Sequence, residues 1–392
     1  MMVKRLKAAF LAVFWSPLLV ACAPDQRTED AARAKDPAAW PTEDGIPVNQ
    51  WYMKTQDDDG TLRHYIAEYG SEASPAKTVI VLHGGWGADH SYLIPVIQPL
   101  AREFRFVLYD QRGSLRTPVS APSEISFDAL VEDLEQLRQR LQLEKVTLLA
   151  HSMGAHLAYG YLRAHPARVE KLILAGPVPP SRFGEHNPTL LKEVWPDRSA
   201  AESDAVASRL KVFEVQYARR ALRTAAEAGL LPVSIAETAR RLDGDEVAKL
   251  YAETDKAFQT GGNKTDQQKT HWWRITFTCI NVIDCRSWRQ MRGGQIYYNP
   301  AVAGAVLSGA DFGTAVKDFW PTLKSFKGPV HVIIGAHDYT DLGPTLWPKL
   351  ITRLPAGHLN VIPDAGHSAW MDAPDAFNEA LRTALAPATS AR

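Results

Sequence analysis

The sequence predicts an α/β fold, in which a mostly parallel central sheet is flanked by helices and interrupted by an inserted, mainly helical cap. Three observations predict it. Short apolar runs ending in glycine-containing turns alternate with segments of helical period, the alternation lapses near residue 179, and it resumes near residue 313. A chain of 392 residues has room for one large domain of this kind with an insertion.

Residues 1–21 read as a targeting segment. Lys4, Arg5 and Lys7 precede the apolar stretch "AAFLAVFWSPLLV", which Pro17 interrupts and which is short for a membrane span. The "LVAC" that follows resembles the lipobox of bacterial lipoproteins, which implies cleavage before Cys22 and lipidation of its thiol. An exported protein anchored on the periplasmic side of a membrane, the outer membrane favoured because Ala23 rather than an aspartate follows the cysteine, is therefore expected. Residues 22–45, rich in Ala, Pro and charged side chains without apolar periodicity, read as a flexible tether.

The first part of the core is assigned to residues 46–178. Here "KTVIVLHGG", "FRFVLYDQRG", "KVTLLAHS" and "VEKLILAGP" fit buried strands. Between them, Phe127, Leu130, Val131, Leu134, Leu137 and Leu141 recur at helical spacing behind Ser126, a suitable cap, and "GAHLAYGYLRAHP" gives a second helix. Residues 179–312 form the predicted cap, with long helical stretches and the Trp-rich "HWWRITFTCINVIDCRSW". Residues 313–386 return to the sheet through "GPVHVIIGAHD" and "HLNVIPDAGHS" and close on the helix "PDAFNEALRTAL". Such an insertion lies most simply over the strand ends, where ligands bind in open α/β sheets.

Charge narrows the partners. Lys plus Arg and Asp plus Glu each number 44, so no global field favours nucleic acid, and a small molecule or short peptide is the expected substrate. Once Cys22 is set aside, Cys279 and Cys285 are the remaining cysteines, and an oxidising compartment makes them candidate disulfide partners. No metal-ligand spacing and no nucleotide-binding glycine motif occurs, so neither metal nor cofactor is expected.

Three residues occupy corresponding places in this pattern. Ser152 follows one strand, Asp338 a later one and His367 the last, in the chain order Ser, Asp, His. A serine hydroxyl is a weak nucleophile, so a histidine must accept its proton and a carboxylate must hold and stabilise the imidazole. Acyl transfer also needs backbone donors for the developing oxyanion. "HGGWG" after its strand supplies one from Gly85 or alternatively Trp86, and Met153 the other. In the cap, Trp272, Trp273, Trp288 and Tyr298 either wall an apolar substrate pocket or form the cap's own small core, and Glu214 is a candidate carboxylate for a substrate amine.

"HGGWG", "DQRGS", "AHSMG", "GAHD" and "DAGHS" together resemble the α/β-hydrolase superfamily, especially its proline iminopeptidase-like branch, over residues 60–177 and 313–385. The resemblance implies a serine hydrolase working through an acyl-enzyme, foremost an aminopeptidase or amidase. Trp86, Leu115, Thr117, Ala150 and Met153 depart from the branch's usual pattern, which keeps a carboxylesterase or lactonase in view. From another class, a non-catalytic ligand-binding surface lipoprotein stays open.

Overall fold

The computed structural model describes residues 42–43, 45–55, 62–70, 77–114, 116–181, 188–292, 299–308, 318–338 and 343–387. The targeting segment, Cys22, most of the tether and Tyr298 lie outside these residues.

Nine strands make one sheet in the order β1-β2-β3-β5-β4-β6-β7-β8-β9. They are β1 (Thr42–Glu43), β2 (Ile46–Lys54), β3 (Arg63–Tyr69), β4 (Thr78–Leu82), β5 (Arg105–Tyr109), β6 (Val146–His151), β7 (Val169–Ala175), β8 (Val330–Gly335) and β9 (Gly357–Ile362). The first three pair antiparallel and dock antiparallel on β5, and every pairing from β5 through β9 is parallel. Two details correct the sequence reading. The sheet begins within the segment assigned to the tether, because Gly45 at φ 73° turns Thr42–Glu43 back onto β2. The nine-residue β2, whose alternating pattern places Trp51 and Met53 inward, precedes the first run recognised as a strand.

The parallel strands are apolar on both faces because both faces are covered. Ile80 and Leu82 of β4 join one apolar layer with Val107, Leu148 and Leu172, whereas Val79 and Val81 join the opposite layer with Phe106, Leu108 and Ile173. Helix α1 (Phe127–Arg140) covers the first layer through Phe127, Leu130, Leu134 and Leu137, and Ser126 Oγ accepts from Ala129 N–H at 3.1 Å to cap it. Helix α2 (Gly154–Ala164) packs beside it.

Between β7 and β8 the chain leaves the sheet. It forms α3 (Pro188–Val194), α4 (Ala200–Glu227), α5 (Val233–Arg241), α6 (Gly244–Thr260), α7 (Asp266–Asn281), α8 (Pro300–Ser308) and α9 (Trp320–Ser325). Helices α4 to α7 enclose a third apolar cluster, built on Tyr217, Leu222, Phe258, Trp272, Ile275 and Trp288. After β8 come α10 (Gly343–Ile351), β9 and α11 (Pro374–Leu385). Among the described residues no helix is long and apolar enough to cross a membrane.

Candidate active site

Three loops meet beyond the C-terminal ends of the parallel strands. β6 ends at His151, and Ser152 follows at φ 53°, a left-handed backbone that costs a non-glycine residue energy and is kept only where its surroundings fix it. They do so here through Ser152 N–H donating to Ala175 O at 3.1 Å and Ser152 O accepting from Ala155 N–H at 3.0 Å. The side chain is thereby lifted off the sheet and left partly exposed.

Asp338 lies three residues past β8 and His367 five past β9. Bonds from Ala336 N to Ile362 O (2.8 Å) and His337 N to Ala365 O (2.9 Å) fasten the two loops together. His367 Nδ1 then stands 3.1 Å from each carboxylate oxygen of Asp338, both side chains buried. An imidazole that gives its Nδ1 proton to a carboxylate presents Nε2 as the basic atom. Gly176, next to the Ala175 that holds Ser152, lies against the same ring, since a Cβ there would come within 2.9 Å of His367 Nδ1. Ser152, Asp338 and His367 thus share one corner of the sheet.

The loop after β4 closes that corner. Gly84 approaches so nearly that a Cβ would fall 2.6 Å from Ser152 Cβ and 2.8 Å from His151 O. Gly85, at φ 67°, and Trp86 follow, and Met153 sits at the start of α2. None of the three amides has an acceptor among the described residues, so each can meet a ligand's oxygen. The indole of Trp86 is turned inward, edge-on to Phe127 at 6.2 Å, so only its backbone is available.

Further contacts brace the loop, and sequence alone did not reveal them. Gly84 N–H donates to Tyr92 Oη at 2.7 Å, and that hydroxyl donates onward to His151 Nδ1 at 2.8 Å. Burial, with His367 nearby, holds the His151 pKa well below the usual histidine range, so the ring stays neutral. His83 Nε2 accepts from Gln111 N–H at 3.1 Å, tying the loop to the "DQRG" turn. In that turn Arg112 forks onto Asp133 of α1 at 2.8 and 2.7 Å, and Asp110 Oδ1 accepts from His90 Nδ1 at 2.6 Å. Asp89, His90 and Asp110 bring ligand-type atoms within 4.8 Å of one another although their sequence spacing suggests no metal site. His90 and Asp110 are already bonded to each other there.

A second brace comes from the cap. The disulfide Cys279–Cys285 closes the turn after α7. Asn281 O of that turn accepts from Ser368 N–H at 2.8 Å, and Ile283 N–H donates to Asp372 at 3.0 Å. The Asp372 carboxylate also accepts from Gly366 N–H at 2.8 Å, so it bridges the cap turn and the His367 loop. The sole sequence signal for this role is an acidic residue five positions after His367.

The cap aromatics divide. Trp272 (1% exposed) stacks on Phe258 at 4.7 Å and donates to Asp255 Oδ1 at 2.8 Å, while Trp288 (5%) is edge-on to His271 at 5.1 Å. Both belong to the cap's own apolar cluster, the second of the two alternatives the sequence left open, and not to a pocket wall. Trp273 instead stacks on Phe277 at 4.7 Å, and Phe277 meets Tyr92 at 6.0 Å, beside the candidate site. Glu214 of α4 is half-buried, its carboxyl pKa raised by that burial and partly offset by Lys211, and it makes no hydrogen bond to the candidate site.

Comparisons with known proteins bear on the family and the fold. A family model described as alpha/beta hydrolase fold matches residues 77–374. A Rhizobium rhizogenes protein named as a carbamate hydrolase is 35% identical over 106 residues, 27% of this chain and 40% of its own. A proline iminopeptidase of Heyndrickxia coagulans is 37% identical over 100 residues, 25% of this chain and 34% of its own. The chain therefore spans less than half the length of these curated relatives. Among solved structures, a hydrolase from Pseudomonas aeruginosa PA01 superposes with a TM-score of 0.50 at 17% identity, covering 86% of this chain and 98% of that one, a likeness of fold.

Proposed function

Because the chain belongs to the alpha/beta hydrolase fold family, we propose that it is a serine hydrolase acting through an acyl-enzyme on Ser152. The observation that carries this reading is one corner of the sheet. There a serine on a left-handed turn stands with an imidazole braced by a carboxylate and with backbone amides that have no acceptor among the described residues.

In this mechanism His367 Nε2 takes the proton of Ser152 Oγ as the oxygen attacks the substrate carbonyl. Asp338 holds the Nδ1 proton and stabilises the imidazolium. The N–H of Met153, with that of Gly85 or Trp86, receives the oxyanion. His367 then protonates the departing amine or alcohol, and water activated by the same base releases the acid.

The motifs shared with iminopeptidases and the relative named for that activity support an aminopeptidase or amidase. The departures at Trp86, Ala150 and Met153 from the iminopeptidase pattern support the ester or lactone reading instead. Proline anilides and short-chain nitrophenyl esters, assayed side by side, decide between them, since background anilide turnover with rapid ester turnover removes the peptidase. Labelling of the folded protein by a fluorophosphonate, lost in Ser152→Ala, tests the hydrolase itself. Absence of labelling favours a non-catalytic binding protein.

The "LVAC" motif supports membrane attachment through lipid on Cys22, on the periplasmic side. Cys22→Ser should release the protein from membranes, and persistent association would rule the anchor out.

A further inference from the structure

A cleft of about 420 Å³ opens where the segment after the "HGGWG" loop faces the end of the cap. Its lining includes Asp89, Ser91 and Arg116 from the core and Arg274, Arg289 and Arg292 from the inserted segment. The described lining carries four guanidinium groups and one carboxylate, in a chain whose 44 basic and 44 acidic residues balance. Net composition therefore does not explain the concentration. Asp89 is committed locally, since its Oδ1 accepts from Ser91 N–H at 2.8 Å. Arg116 lies over the Tyr65 ring at 4.8 Å and Arg289 over the Trp288 ring at 4.5 Å. Neither makes an ion pair with a carboxylate among the described residues. A guanidinium stacked by its face keeps its in-plane N–H groups for a planar or tetrahedral anion.

The cleft is linked to the candidate active site through residues that brace it. Ser91 adjoins Tyr92, whose hydroxyl holds Gly84 N–H. Arg274 stands about one turn before Phe277 on α7, and Phe277 meets Tyr92.

We propose that this cleft binds an anionic group, a carboxylate or phosphate, carried by the substrate at a distance from the bond that Ser152 attacks. This rests on the hydrolase reading above and names the substrate class for it. Such an enzyme selects acidic esters or amides over neutral ones of the same length.

The test uses the full chain with two substrates of equal acyl length, 4-nitrophenyl pentanoate and 4-nitrophenyl hydrogen glutarate. The acid ester is expected to show kcat/KM higher by about tenfold or more, expressed in KM and shrinking as salt is raised. That ratio should fall toward parity in the Arg116→Gln, Arg289→Gln double variant, with its melting temperature checked against the parent. Calorimetric titration of the Ser152→Ala variant with inorganic phosphate and with glutarate reads the cleft without turnover, so loss of the hydrolase reading leaves this arm intact. Arginine-dependent binding of free phosphate without preference for the acid ester overturns the substrate assignment and makes the ligand a separate anion. Equal rates for the two esters with no binding of either anion overturn the proposal.

Discussion

The strand ends and the cap meet at Tyr92 and Phe277 and at the Asp372 bridge but are assembled by different means. At the strand ends, backbone sets position. Ser152 is held through its own N–H and C=O, the oxyanion loop through Gly84 N–H, and the Asp338 and His367 loops through main-chain bonds. In the cap, side chains set position, with Phe258, Tyr251 and Asp255 gathered on Trp272. Backbone geometry is announced by short motifs and element order, whereas helix packing depends on rotation about each axis. Adjacent residues on a helix point about 100° apart. Trp272 and Trp273 show the result, one locked in the cap's interior and its neighbour turned toward Tyr92.

The sharpest break in the comparison is expected from those two residues. Trp272→Ala should cost about 3–5 kcal/mol in chemical unfolding, because it empties the cap's core and strips Asp255 of a donor. Trp273→Ala should change KM more than stability, and a reversed outcome would place the substrate-facing surface on the other side of α7.

Titration should drive the two regions in opposite directions. In the core, burial lowers the His156 pKa to about 4, and His83 and His151 are lowered as well. A depressed histidine loses stability as pH falls below its unfolded value near 6.5, for His156 on the order of 3 kcal/mol by pH 4. In the cap, burial raises the Asp255 pKa to about 6, against the pull of its bond from Trp272. A raised carboxylate contributes stability that is complete below its unfolded value near 3.8 and lost as pH rises through about 6. Lowering pH from 6 to 4 should therefore loosen the core and tighten the cap, as read by amide exchange in each region. Asp255→Asn should flatten the cap's response.

Smaller effects follow at the junction. Gly84→Ala, whose Cβ would collide with Ser152 and His151, should lower ester kcat by roughly a hundredfold by displacing the oxyanion loop. Asp372→Ala should lower kcat about tenfold with little change in KM, because it frees the His367 loop without touching substrate. Reduction of Cys279–Cys285 should act in the same direction in the parent, read as loss of turnover on thiol treatment and recovery on reoxidation. The smallest change is expected at Gly304 of α8, where a Cβ meets nothing within 4 Å, so Gly304→Ala should add about 0.5–1 kcal/mol and leave turnover alone.

Much of the sheet and the candidate triad was legible. Order along the chain and position after apolar runs brought out Ser152, Asp338 and His367. The antiparallel edge was read late because β2 alternates only partly. Tyr92 and Asp372 were not legible at all, since each acts by bonding backbone amides whose position only the fold determines. The arginine cleft escaped for a similar reason. Its residues come from segments as far apart as Asp89 and Arg292, and nothing in the sequence brings those segments together.

The bonds from Asn281 and Ile283 to the His367 loop also bear on motion. A cap free to swing open would pivot on connections remote from the chemistry, but this one is fastened to the loop that carries the base. Lifting the end of α7 would pull on Ser368 and, through Asp372, on Gly366, the two neighbours of His367. Opening at that point and displacing His367 are one movement, so under the proposed mechanism a substrate reaches Ser152 with the base in place only by passing the cap along another edge.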